Sequence, residues 1–191
     1  LSLVERADVC VVGPGLGQGA WSRSLLSGVA GSDQPQVWDA DALNLLAAGQ
    51  VSAPRHGVLT PHPGEAARML GIETAVLQTD RPAAARALAQ RFGLVVVLKG
   101  AGSLVAAPDG RLALCDRGHP AMAGAGLGDV LAGLIGALLA QGMAAYDAAC
   151  LAVWLHARAG EVLAVQGRGL AAGDLPCTIR QLLEEVCPCT K

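Results

Sequence analysis

The chain has 191 residues, enough for one domain with a proper core. It is 52% hydrophobic, 16% charged and only 3% aromatic, so the core is aliphatic, as in an α/β protein whose strands are covered on both faces. A net charge of −2 with no Lys/Arg cluster argues against a nucleic-acid binder, and the longest apolar runs are interrupted too soon to read as membrane spans.

Ala7 to Val12 is a short apolar run ended by Gly13-Pro14-Gly15-Leu16-Gly17. It reads as a buried parallel strand feeding a tight loop, and ligands of open α/β sheets gather at such strand ends. A helix follows over about Ala20 to Val29. Pro35 to Trp38 is the next strand and delivers Asp39-Ala40-Asp41. Asp41 is expected to cap a helix through Leu43, Leu45 and Leu46, closed by Gly49. Asp39 has no such role; it either joins Asp41 around a metal or a polar pocket, or is solvated.

Gly57-Val58-Leu59 is a third strand, followed by Thr60-Pro61-His62-Pro63-Gly64-Glu65. Two prolines hold the backbone around His62, which makes that imidazole a site candidate; the alternative is a histidine bonded within its own turn. Thr60 or Pro63 then opens a helix through Ala66, Met69 and Leu70. Asp80 and Pro82 start another helix to about Phe92. Leu94 to Leu98 is a fully apolar, β-branched strand ending in Lys99-Gly100-Ala101-Gly102-Ser103. That loop has the amides and the cation to cradle phosphates, without the order or following helix of a P-loop. Leu104 to Cys115 reads as a β-hairpin turning at Pro108-Asp109-Gly110.

From Gly118 to Gly142 the sequence is GHPAMAGAGLGDVLAGLIGALLAQG. A glycine loop runs into a helix apolar on nearly every face, an arrangement that aims free helix amides at an anion. Asp129 is the acidic residue at the junction, and two readings stay open: a base or metal-water ligand serving chemistry, or a plain helix cap. A long helix over about Tyr146 to Gln166 follows, with His156 expected to be a satisfied core or interface residue. Arg168-Gly169-Leu170 breaks the chain before a last helix over about Asp174 to Val186, capped by Asp174. Cys10, Cys115 and Cys150 read as buried free thiols, and Cys187 and Cys189 form a C-x-C without a second pair to bind zinc. Leu1 to Asp8 shows no signal-peptide pattern. A reduced cytoplasm is the simpler expectation.

The four loops Gly13 to Gly17, Thr60 to Glu65, Lys99 to Ser103 and Gly126 to Asp129, with Asp39-Ala40-Asp41-Ala42-Leu43-Asn44, together resemble the ADP- or ATP-dependent NAD(P)H-hydrate dehydratases of the ribokinase-like superfamily. That family's last loop usually reads G-N-P-G-M-A-T-G-G-T-G-D. Here His119 stands for Asn, Ala121 and Ala125 for two glycines, and Gly124 for Thr or Ser.

The resemblance covers the chain as one domain, 1–191. It implies a mostly parallel ribokinase-like sheet with helices on both faces and a β-hairpin, amino-terminally truncated because family members carry further elements before the GPGLG loop. A truncated sheet exposes an apolar edge, which fits a homo-oligomer. The resemblance further implies that Lys99, Gly100, Ala101, Gly102, Ser103, Gly126 and Gly128 bind ADP or ATP, with Mg2+. It implies that Gly15, Gly17, His62 and Asp129 face the hydrated nicotinamide, and that Asp129 is the catalytic base. Its reaction restores NADH or NADPH from the S epimer of the hydrated form. A small-alcohol kinase of the hydroxyethylthiazole or hydroxymethylpyrimidine type, and an inactive nucleotide-binding fragment, are the rival readings.

Overall fold

A computed structural model describes residues 3–165, 167 and 169–188. Arg168, Cys189 and the end of the helix read to Gln166 lie outside the described residues. Six strands form one sheet in the order of the chain: β1 Cys10–Val12, β2 Gln36–Trp38, β3 Gly57–Leu59, β4 Val95–Leu98, β5 Leu104–Ala106 and β6 Leu112–Leu114. The first four are parallel, and β5 and β6 turn back as antiparallel neighbours. The mostly parallel sheet with its terminal hairpin is therefore as read, but β1 is shorter than the apolar run that announced it and is not buried: it is an edge strand, with Val11 exposed.

Parallel strands laid down in sequence by right-handed crossovers throw their connecting helices onto one face. Those helices are α1 Ala20–Ala30, α2 Asp41–Ala47, α3 Pro63–Leu70, α4 Thr74–Thr79 and α5 Arg81–Phe92. The other face is left to α6 Leu127–Ala140 and α7 Ala145–Ala164, and α8 Leu175–Val186 packs on these two through Leu175, Ile179 and Leu182. Strand alternation sorts the side chains accordingly. Trp38, Leu59, Val96, Leu98 and Leu104 bury among α1 to α5, while Val37, Val58, Val95, Val97 and Val105 bury against α6 and α7.

The short helix α4 has no counterpart in the sequence reading. Two expected caps are also corrected. The residue before α2 is Ala40, and no side chain caps that helix. At α8 the Asp174 side chain accepts from the Ala171 amide at 2.8 Å instead of capping its own helix. Asp80 does cap α5, accepting from Ala83 N–H at 2.9 Å. Cys10, Cys115 and Cys150 are free but only partly buried, and desolvation raises the pKa of all three thiols.

Ala40 has φ +47°, making it the one non-glycine residue in the left-handed region among those described. A side chain there costs about 1–3 kcal/mol, so the surroundings must impose it. One such constraint is Gly13, where a Cβ would stand 1.7 Å from the Asp39 carbonyl oxygen. Only a glycine lets the end of β1 lie this close to the end of β2.

Candidate functional site

Because β1 to β4 run the same way, the loops after them emerge on one edge of the sheet. The ladder continues past the strands: Asp39 N–H donates to Val12 O, Thr60 N–H to Trp38 O, and Lys99 N–H to Pro61 O at 2.9 Å. These bonds set Asp39, the Thr60–His62 segment and Lys99 side by side.

Lys99 is not the lone cation its sequence position implied. Its Nζ donates to Asp39 Oδ1 at 2.6 Å, with the two side chains only 19% and 2% exposed. The first turn of α6 stands over this pair: a Cβ at Gly128 would be 3.3 Å from Lys99 Nζ and 3.7 Å from Asp39 Oδ2. A side chain there would crowd the lysine tip, and glycine keeps the turn clear of it. A buried cation and the amino-terminal end of an apolar helix thus meet at one place, and both favour an anion. No side chain caps α6, whose preceding residue is Gly126. Asp129 is exposed in that first turn, and among the described residues it has no hydrogen bond or ion pair. The cap reading for Asp129 thus finds no bond to support it. His156, as expected, is satisfied: its Nε2 is 2.8 Å from the Leu127 carbonyl.

The Lys99–Ser103 loop is held by a residue the sequence reading passed over. Arg81, at the start of α5, donates to the Ala101 carbonyl at 2.5 Å and to the Leu98 and Lys99 carbonyls at 3.4 and 3.3 Å. A Cβ at Gly100 would fall 2.9 Å from the same guanidinium. With its carbonyls turned to Arg81, the loop is braced from behind. The Ser103 hydroxyl is used internally, donating to Gly100 O at 3.1 Å.

His62 is the residue before α3, and it is bonded within its own turn. Nδ1 accepts from Gly64 N–H at 3.0 Å and from Glu65 N–H at 3.4 Å, while the buried Glu65 carboxylate accepts from His62 N–H at 2.7 Å. This reciprocal cap requires an unprotonated Nδ1. Burial, then the charges of Lys99 and Arg68, lower the His62 pKa, so the ring lies within electrical reach of the buried pair. Burial likewise lowers His156. A histidine with a lowered folded pKa binds its proton more readily when unfolded, so acid favours unfolding. The melting temperature is expected to hold above the unfolded value near pH 6.5 and to fall as pH drops below it. His62→Asn, which can still cap, should remove part of that slope; an unchanged slope would assign it to His156.

Asp41, read as a cap, instead reaches across to the GPGLG loop. Its Oδ2 accepts from Gly17 N–H at 2.8 Å and its Oδ1 from Gln18 Nε2 at 3.1 Å. Gly15 lies in the same loop with open space around it. Asp41→Ala frees the loop, and losing one such bond costs about 1 kcal/mol, or a rise of about five-fold in the KM of whatever that loop binds. The nucleotide KM should stay put, and equal rises for both ligands would refute a local role. In the loop before α6, His119 Nδ1 accepts from Ala121 N–H at 3.1 Å, a capping bond that an asparagine could also make.

Among the described residues no group of three His, Cys, Asp or Glu could hold a metal ion. No described helix is long and apolar enough to cross a membrane.

A family model described as NAD(P)H-hydrate dehydratase matches residues 1–183. A bifunctional NAD(P)H-hydrate repair enzyme of Escherichia coli is 49% identical over 183 residues, covering 94% of this chain and 35% of its own. An ADP-dependent (S)-NAD(P)H-hydrate dehydratase of Neisseria meningitidis serogroup B is 45% identical over 183 residues, covering 91% of this chain and 62% of its own. The crystal structure of the ADP/ATP-dependent NAD(P)H-hydrate dehydratase of Bacillus subtilis, co-crystallised with ATP and Mg2+, is similar with a TM-score of 0.83 at 32% identity, covering 93% of this chain and 64% of that one. The fold is ribokinase-like. The chain thus spans about a third of the bifunctional relatives and less than two thirds of the shorter ones.

Proposed function

The chain belongs to the NAD(P)H-hydrate dehydratase family, and from that membership we propose that it restores NADH or NADPH from the S epimer of the hydrated form at the expense of ADP or ATP. The observation that carries this reading is the meeting of Lys99, Asp39 and Gly128 beneath the uncapped start of α6, with the unpaired carboxylate of Asp129 on the same turn.

In this reading Lys99, the Gly100–Ser103 backbone and the amides around Gly126 and Gly128 take the phosphates. They stabilise the charge that develops on the transferred phosphoryl oxygens. The GPGLG loop, with Gly15 open and Gly17 held by Asp41, and the His62 turn border the seat of the nicotinamide. Asp129 accepts the proton of the ring hydroxyl as its oxygen attacks the terminal phosphorus and the nucleotide departs. The phosphate then leaves with the electrons of its bond to carbon, the adjacent carbon gives its proton to the departing phosphate or to water, and the C–H electrons restore the double bond. With no cage of carboxylates among the described residues, Mg2+ would travel on the nucleotide's own phosphates, and no step here is assigned to it.

A cytoplasmic homo-oligomer belongs to the same proposal; the exposed Val11 on β1 and Trp21 on α1 are surfaces that association would cover. The test is recovery of NADH absorbance in the near ultraviolet from hydrated NADH with ADP. Recovery with release of AMP and phosphate supports the reading. Stable phosphorylation of an alcohol without recovery would support the kinase instead.

A further inference from the structure

Next to the GPGLG loop lies an open groove of about 550 Å³ lined by Gln18, Asn44, Ala47, Ala48 and Arg68. Arg68 belongs to α3, whose start is the His62 turn. Its guanidinium is fixed by a single neutral acceptor, with Nε and Nη2 donating to Asn44 Oδ1 at 3.2 and 2.9 Å. Among the described residues no carboxylate pairs with it. An arginine oriented by an amide keeps its whole charge for another partner, and Nη1 with the second hydrogen of Nη2 remains to be used.

Two walls tie the groove to the substrate half of the site. A Cβ at Gly64 would stand 3.8 Å from Arg68 Nη1 and 2.9 Å from His62 Cε1, so the guanidinium and the imidazole flank one glycine. On the other wall Gln18 is the residue after Gly17, steered by its bond to Asp41.

We propose that this groove takes the bridging pyrophosphate of the hydrated dinucleotide, with Arg68 as its charged partner; the proposal rests on the dehydratase reading. In a dinucleotide the pyrophosphate is one ribose away from the nicotinamide, so it falls beside the ring's seat. The 2′-phosphate of the NADPH form sits on the distant adenine ribose. A planar guanidinium can give two parallel N–H bonds to phosphate oxygens, and the Gln18 and Asn44 amides add neutral donors. The groove is separate from the Lys99 cradle, so the two anionic reactants need not compete for one cation.

The experiment compares the whole chain with its Arg68→Gln and Arg68→Lys variants. The KM values for hydrated NADH and hydrated NADPH should rise together by about ten-fold or more in Arg68→Gln and by less in Arg68→Lys. The KM for ADP and the melting temperature should stay close to wild type. A rise for hydrated NADPH alone would mean that the 2′-phosphate occupies the groove and would overturn the assignment, as would unchanged values for both.

A second arm needs no turnover: inorganic pyrophosphate is titrated by calorimetry into the chain saturated with ADP. Uptake by the wild type that Arg68→Gln abolishes is expected. Recovery of NADH without any Arg68 effect would discard the groove and keep the dehydratase. Arg68-dependent pyrophosphate uptake without recovery would do the reverse, and the absence of both would overturn the two together.

Discussion

Asp129→Asn is expected to lower the rate of NADH recovery by about 100-fold or more, the usual consequence of losing a placed general base. The substitution keeps size and shape while removing the ability to take a proton. Because no side chain caps α6, it breaks no bond in that turn. The melting temperature should therefore not move. Affinity for ADP should hold or rise, since a negative charge near the phosphates has gone. Single-turnover recovery at saturating ADP, beside a melting curve, is the measurement. A near wild-type rate would remove Asp129 from the chemistry, and a lowered melting temperature would mark it as structural.

Lys99→Ala carries the largest expected effect on stability. Its partner Asp39 is 2% exposed and would be left as a buried charge without its cation. Breaking a buried pair from one side costs about 3–5 kcal/mol, which for a chain of this size lowers the melting temperature by roughly 6–20 °C. Nucleotide binding should weaken as well, by about 1.5–3 kcal/mol for a lost charged contact to phosphate. The two effects are separable, because removing Asp39 together with Lys99 should recover much of the stability and none of the affinity. Melting curves and ADP calorimetry on the single and double variants decide it. If Lys99→Ala alone keeps both, the pair is neither a support nor a phosphate site.

Much of the frame was legible because its signals are local. Short apolar runs marked β2, β3 and above all the β-branched β4, and the Pro-Asp-Gly turn marked the hairpin. The helix α4, six residues without a side-chain cap, carries too weak a pattern to be seen; Leu77 docking into the core holds it. The site was legible as a set of loops but not as a set of contacts. Asp39 and Lys99 are 60 residues apart, and no periodicity predicts that they meet. Asp41 sits where a helix cap would, so local rules assigned it to the helix, while its carboxylate is used 24 residues away. Arg81 lies unremarked between Asp80 and Pro82 at a helix start, and the reach of its long side chain to the Lys99 loop is a tertiary fact. The cap made by His62 was open to a local reading, and its histidine identity drew attention to ligands instead.

Three consecutive residues touch both halves of the site. Asp39 grips Lys99, which the proposed function gives to the nucleotide, Asp41 grips the loop it gives to the dinucleotide, and between them Ala40 is fixed in a backbone shape it would not choose alone. Under the proposed function, a joint of this kind would link the two seats. Whatever factor ADP applies to the affinity of the hydrated dinucleotide, the dinucleotide must return to ADP. Softening this tripeptide at residue 40 would then loosen the dependence without removing either seat.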